Sequence, residues 1–197
     1  MPDERPRCWW SGSETVDPDP LMVAYHDTEW GVPCHDDLEL FERLALESFQ
    51  AGLSWSTILR KREGFRAAFH GFDPEVIAAY TDVDRGRLMG DAAIVRNRAK
   101  IDATIGNAAA FLAVAATHGS FDAYLASMVP PPPARLPPDA TGATIPATTP
   151  ASDALSRDLK ARGFRFVGST IVYAFMQSVG LVDDHLPGCF RYGAAGS

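Results

Sequence analysis

Apolar residues recur along this chain at the three-and-four spacing of a helix almost throughout, and no alternating run long enough for a useful strand interrupts them. Leu38, Phe41 and Ala45, with Leu40 and Leu44, mark one face of a helix near 36–50. Asp73-Pro74 sets a capping acid before a first-turn proline, which opens a short helix through Val76, Ile77 and Tyr80. Ile101, Ile105, Ala108 and Leu112 step by i, i+4, i+7 and i+11, the stripe of a long amphipathic helix. Phe121, Tyr124, Leu125 and Met128 give another, stopped by prolines 130–133. Ser152 is placed to cap a helix carrying Leu155 and Leu159, which Gly163 ends. The apolar run from Ile171 to Val179 reads as a buried last helix closed by Gly180. The pattern predicts an all-α protein.

Residues 130–150 hold eight prolines and read as a surface loop or partly disordered excursion joining two helical lobes. With 197 residues, 46% of them hydrophobic, the chain can bury one core, so 1–197 is taken as a single domain. No stretch of about 18 apolar residues is evident, so no membrane span is expected. The polar, proline-bearing start from Met1 to Trp10 does not follow the plan of a secretion signal. Three cysteines make an odd count in a chain of this length, which argues against a disulfide scaffold and for a reducing, cytoplasmic setting.

The net charge of −7 is unevenly placed. Residues 1–50 carry 12 Asp/Glu against 3 Lys/Arg, whereas residues 51–197 carry 13 against 15. Basic residues cluster at Arg60-Lys61-Arg62 with Arg66, at Arg85 to Lys100, and at Arg157 to Arg165. A local basic face is enough for phosphate contacts, and solvated helix faces look the same in sequence, so charge neither supports nor excludes a nucleic acid.

Three constellations carry candidate chemistry. Cys8 and His26 near the start, with His185-x3-Cys189 near the end, would make a Cys2His2 set, which is closed and therefore structural. The gap of 17 residues between Cys8 and His26 matches no short zinc knuckle, and ordinary buried cysteines with surface histidines fit equally. His35, His70, His118 and Cys34 show no pairing and read as surface residues. Glu47 falls seven residues after Leu40 and three after Leu44, on the apolar side of its helix, while Glu39 and Arg43 form an i, i+4 pair on the polar side. A carboxylate so placed is costly unless it is paired or lines a pocket, and by helix position alone a helix-end Glu that snorkels to solvent or pairs with an arginine fits equally. Trp10, Tyr25, Trp30 and Trp55 lie nearby in sequence, and an acid beside electron-rich rings suits a flat cationic ligand. The turn Gly90-Asp91-Ala92-Ala93, followed by Arg96, Arg98 and Lys100, is compatible with a helix-hairpin-helix whose free N–H groups meet a phosphate, and equally with a plain loop.

At these residues the chain resembles the DNA-3-methyladenine glycosylase I family. Ala24 to Pro33, AYHDTEWGVP, is similar to its AYHDxEWGVP signature, Leu46-Glu47 with Gln50 to Trp55 to its LExxQAGLSW block, and Ala151 to His185 to its C-terminal region. The resemblance covers nearly the whole chain outside the proline loop and the extreme ends. It implies a helix-hairpin-helix glycosylase fold in two lobes, and a monofunctional enzyme that flips 3-methyladenine out of double-stranded alkylated DNA and hydrolyses it off. The catalytic aspartate of the wider superfamily is absent, and the enzyme is expected to act as a monomer. It further implies one structural Zn2+ on Cys8, His26, His185 and Cys189. Glu47 would be the base-reading, catalytic acid, Tyr25 and Trp55 its stacking partners, Trp10 a further wall, and Leu53 after Gly52 the wedge that fills the gap in the duplex. Arg96, Arg98 and Lys100 would meet the DNA backbone. Four features depart from the family pattern: Met22 for a pocket tyrosine, Ser48-Phe49 for a Gly-Gln pair after the acid, where a reshaped pocket rim is expected, Ala93 for a hairpin glycine, and the prolines at 130–133, which lengthen or stiffen a family loop.

Overall fold

The computed structural model describes residues 5–12, 18–131 and 133–194. Nine α-helices fill most of it: α1 Pro20–Thr28, α2 Asp37–Gln50, α3 Trp55–Ala68, α4 Pro74–Ala78, α5 Asp82–Gly90, α6 Arg98–His118, α7 Phe121–Met128, α8 Pro150–Ala161 and α9 Ser169–Ser178. A two-residue parallel ladder, β1 Ala134–Arg135 on β2 Val182–Asp183, is the only strand pairing among the described residues.

Helix α2 runs through the middle and packs on α3, α6, α7 and α9. Its start is capped by Asp36, whose side chain accepts from the Glu39 N–H at 2.9 Å. Its stripe of Leu40, Phe41, Leu44, Ala45 and Phe49 is sealed in the core, whereas Leu38 is half exposed. The first residue of α2 also builds its neighbour: Asp37 accepts from the N–H groups of Phe121 and Asp122 at 2.8 and 2.9 Å, an anion at the N-terminus of α7. Helix α6 is long and apolar enough to cross a membrane by length and composition, but its buried face is packed against α2, α4, α5 and α7. The core residue of its fourth turn is Phe111; Leu112, read from the sequence stripe, is only half buried.

The predicted helices all form, with one change of cap. Thr149 caps α8, with Pro150 in the first turn, and Ser152 stands at the third position of a capping box: Thr149 Oγ1 accepts from the Ser152 N–H and Ser152 Oγ from the Thr149 N–H. Helices α1, α3 and α5 are additions to the sequence reading. Their buried faces are short, mixed or aromatic, such as Tyr25 and His26 on α1 and the single Leu88 on α5, so no aliphatic stripe announces them.

The proline-rich segment is tied down along its length. Its β1 ladder lies on β2, Arg135 pairs with the buried Asp183 at 3.2 Å, and Tyr192 donates to the Leu136 carbonyl at 2.8 Å. Gly142 lies so close to the Trp9 indole that a Cβ there would collide with it. The histidines read as surface residues also have partners: His35 with Asp122, His70 with the Tyr80 hydroxyl and His118 with the Val114 carbonyl. Tertiary proximity, which no local spacing encodes, makes the first two of these pairs.

Candidate functional site

Glu47 sits in the last turn of α2 and is only 4% exposed. Its Oε2 has no hydrogen-bond partner among the described residues, and neither has the buried indole N–H of Trp55. Both residues line a cavity of about 270 Å³ walled by Trp10, Met22, Tyr25, Trp30, Gln50, Ile145, Ala174 and Gln177. The tilted Tyr25 and Trp55 rings lie 5.1 Å apart, and Trp10 meets Trp30 edge-on at 4.9 Å. The cavity is thus an aromatic box with a carboxyl group inside, open enough for a flat bicyclic ring and lined by polar atoms that the protein itself leaves unsatisfied.

Burial dominates the electrostatics. It lifts the Glu47 carboxyl to about 8, and the nearby Arg43 guanidinium offsets only part of the shift. Arg43 is committed elsewhere, to the Glu39 carboxylate and to the carbonyls of Glu29 and Ser178. Burial, and then the Glu47 charge, push the Tyr25 phenol well above its usual range, so it stays protonated. A cation entering the box would favour the ionised form of Glu47.

Gln177 is a cavity residue that the sequence reading missed. Its side-chain amide donates to Asp184 at 2.7 Å, and the same carboxylate oxygen accepts from the Tyr173 hydroxyl at 2.5 Å. Asp184 is outside the cavity lining and takes an N–H of the Gln177 amide, so the carbonyl oxygen is the acceptor that this wall residue can offer a ligand. Ile145, from the proline-rich segment, and Ala174 of α9 are the other wall residues the sequence did not offer. All three lie 98 to 130 residues beyond Glu47, where no local clustering in the sequence reveals them. Met22 does line the cavity as expected. Ser48 and Phe49 do not reach the rim: the Ser48 hydroxyl donates to the Leu44 and Phe166 carbonyls, and Phe49 is fully buried against Phe65 and Phe69.

Between α2 and α3 the chain makes a tight turn in which Leu53 N–H donates to the Gln50 carbonyl at 2.6 Å. Gly52 takes φ +81°, a backbone region that suits glycine. Leu53 at the tip is 41% exposed beside the cavity mouth, between the wall residues Gln50 and Trp55.

Helices α5 and α6, joined through residues 91–97, form the helix-hairpin-helix. Helix α3 abuts the turn at Gly64, where a Cβ would lie 2.7 Å from the Ala93 carbonyl oxygen, and Lys61 donates to the Ala92 carbonyl at 2.8 Å. The Ala93 N–H is taken by the Asp91 side chain at 2.8 Å. Of the three basic residues assigned to DNA, Arg96 is exposed and has no ion pair among the described residues, while Arg98 pairs with Asp102 at 3.0 Å. Lys100 is the correction. It is 6% exposed and donates to the carbonyls of Phe49 at 2.8 Å and Ala51 at 2.6 Å, so it cannot reach a phosphate. The basic run on α3 is likewise matched by acids, Arg60 by Asp19, Arg62 by Glu29 and Arg66 by Glu42. Three of the twelve acids in residues 1–50 are spent on these pairs.

Cys8, His26, His185 and Cys189 converge, all buried, with their donor atoms within 4.8 Å of one another. Sulfur–nitrogen separations are 3.4 Å for Cys189–His26 and 3.7 Å for His185 to each cysteine. A tetrahedral ion with thiolate and imidazole ligands sets these at roughly 3.5 Å. The outer partners fit as well. Asp27 holds Nδ1 of His26 at 2.8 Å, leaving Nε2 to the cluster, and the Trp30 carbonyl faces Nε2 of His185 at 3.2 Å, leaving Nδ1. The N–H groups of Leu186 and Arg191 point at the two sulfurs at 3.3 and 3.4 Å. Hydrogen bonding with Cys8 and the two histidines pulls the Cys189 thiol far down, and the same contact with Cys189, reinforced by burial, raises Cys8. The four residues fit a closed, four-coordinate metal that joins the N-terminal segment to the C-terminal one. His26 and His185 also pack against the cavity walls, at 5.2 Å from Trp10 and 4.7 Å from Trp30.

An all-α helix-hairpin-helix protein with an acid-bearing aromatic box is the class that this fold and site define. Comparison with known proteins narrows it. The family model described as methyladenine glycosylase matches residues 15–192. The DNA-3-methyladenine glycosylase 1 of Escherichia coli (strain K12) is 51% identical over 190 residues, covering 94% of this chain and 96% of the relative. A crystal structure of a 3-methyladenine DNA glycosylase I superposes with a TM-score of 0.88 at 50% identity, covering 95% of this chain and all of the other. A structure from Staphylococcus aureus, solved for the basis of its 3-methyladenine recognition, gives 0.84 at 38% identity over 91% of this chain and 93% of that one. This chain belongs to the methyladenine glycosylase family.

Proposed function

We propose that this chain is a monofunctional DNA glycosylase that flips 3-methyladenine out of double-stranded alkylated DNA and hydrolyses its N-glycosidic bond. The observation that carries the reading is the buried carboxyl of Glu47, without a hydrogen-bond partner, inside the aromatic cavity. Relatives named for this activity, at 46–51% identity over most of their length, support it.

Methylation at N3 makes the base cationic while it is joined to the sugar. When the C1′–N9 bond breaks, its electron pair passes to the ring and neutralises it, and water adds to C1′ and releases a proton. Such a leaving group needs little help from a general acid. Glu47 captures and orients the cation and accepts from its amino edge, and Tyr25, Trp55 and Trp10 hold the faces. An attraction made in the ground state chiefly raises capture rather than the rate of bond breaking. Damaged bases also cost less to extrude than intact ones, which adds to selectivity. Leu53 on the Gly52 turn is assigned to the space vacated in the duplex, and Arg96 and Arg98 to contacts with the DNA backbone.

The Cys8, His26, His185 and Cys189 set is proposed to hold one structural Zn2+. With four protein donors it leaves no position for water, which speaks against a zinc hydrolase. The whole of 1–197 is read as one glycosylase domain acting as a monomer in the cytoplasm.

The test is a base-release assay on methylated duplex DNA. Free 3-methyladenine in the supernatant, lost in Glu47→Ala, is the expected result. Tight binding to methylated duplex with no free base would make the protein a lesion-binding module instead.

A further inference from the structure

Lys100 is a charged side chain in the protein interior, and the groups it faces are main-chain carbonyls. Those carbonyls belong to Phe49, in the last turn of α2, and Ala51, its C-terminal cap. The last carbonyls of any helix lack intrahelical donors, and the negative end of the helix dipole lies there, so a cation is the natural partner. Asn97 in turn fixes the start of α6, its side chain accepting from the Lys100 N–H at 3.2 Å. A lysine in the first turn of the second helix of the hairpin is therefore bolted to the residues on either side of Gln50, where the Gln50–Leu53 turn begins.

We infer that Lys100 is a positioning residue for the turn that presents Leu53, coupling the helix-hairpin-helix to the mouth of the base cavity. The inference rests on the glycosylase reading above, in which Leu53 enters the duplex. Its physical content is local. The turn has one internal backbone bond, Leu53 to Gln50, and an exposed tip. The Gly52 hinge leaves it free to swing unless its base is clamped. Two charge-assisted hydrogen bonds at 2.6–2.8 Å supply the clamp from a helix that is itself anchored in the core. When α5 and α6 seat on a DNA backbone, the same lysine fixes where Leu53 arrives.

The experiment compares wild type, Lys100→Met and Lys100→Gln, the last keeping a side-chain donor without the charge. Three quantities are read: excision from methylated duplex, binding of free 3-methyladenine by calorimetry, and amide hydrogen exchange across residues 50–55. The expected result for Lys100→Met is at least a tenfold loss of kcat/KM on duplex, faster exchange confined to the turn, and free-base affinity within twofold of wild type. Lys100→Gln should lie between the two. A Leu53→Ala, Lys100→Met double variant should be no worse than the poorer single one, because one residue acts through the other. Free-base binding that falls in step with duplex excision, or duplex excision that does not change, overturns the inference. Wild-type protein that binds methylated duplex without releasing base would instead sink the glycosylase reading, and the exchange and double-variant binding data would still decide whether Lys100 sets the turn.

Discussion

Gln177 donates an amide N–H to Asp184, at 2.7 Å, and its carbonyl oxygen is the acceptor that this wall residue can offer the base cavity. With Glu47 ionised, the cavity then holds two acceptors, which suits a ring edge bearing an amino group and opposes one bearing a carbonyl. Gln177→Met, of similar length and without the acceptor, should weaken 3-methyladenine binding by up to about tenfold, the value of one net hydrogen bond. Calorimetry with the free base is the measurement. Affinity equal to wild type would remove Gln177 from recognition.

Glu47 makes the protein's response to pH calculable in sign. Its carboxyl ionises near 8 in the free protein, raised by burial, with Arg43 and the protonated Tyr25 as its nearest titratable neighbours. Capture of a cationic base needs the carboxylate, so kcat/KM on methylated duplex should rise with pH through about 8. In Glu47→Gln that rise should vanish along with most of the activity. A wild-type profile flat from pH 6 to 9 would contradict the assignment.

The same shift has a cost in stability. A carboxyl whose folded value lies above its unfolded one contributes stability that is complete below about 4.5 and lost as pH rises towards 8. Replacing Glu47 with Gln should therefore stabilise the ligand-free protein at pH 8, by on the order of 2–4 kcal/mol, and hardly at all at pH 4. Thermal unfolding at the two pH values reads the difference directly. Selection for stability alone would not keep such a group there.

Metal removal tests the clasp. About one zinc per chain is expected by elemental analysis, resistant to mild chelators because the four donors are buried. Cys189→Ser should lose the metal and lower Tm by several degrees or more. The free-base affinity should fall with it, since His26 and His185 back the Trp10 and Trp30 walls. Metal-free protein with unchanged Tm would refute a structural role.

Arg96 is the exposed cation of the hairpin with no acid held against it among the described residues. Arg96→Ala should weaken binding to duplex of any sequence and reduce the slope of log affinity against log salt by about one. Arg98→Ala should do less, because Asp102 already holds Arg98.

Much of this protein was legible in one dimension. The three-and-four spacing of apolar residues defined six helices, because a helix must bury one stripe and that demand is written locally. The placement of Glu47 on the apolar side of α2 flagged a carboxylate with a purpose, because burying a charge is too costly to be incidental. Spacing raised Cys8, His26, His185 and Cys189 as a candidate set without deciding it, the resemblance favoured it, and the fold brings the four donor atoms together.

What only the tertiary structure decided are the facts that depend on long-range proximity. Lys100 reads as one more basic residue in a basic run, and only the packing of α6 against the end of α2 turns it inward onto two carbonyls. Gln177 and Ile145 join the cavity because α9 and the proline-rich segment fold back over α2. Periodicity records which side of an element is buried. It does not record what that side meets, and the chemistry of this site lies in those meetings.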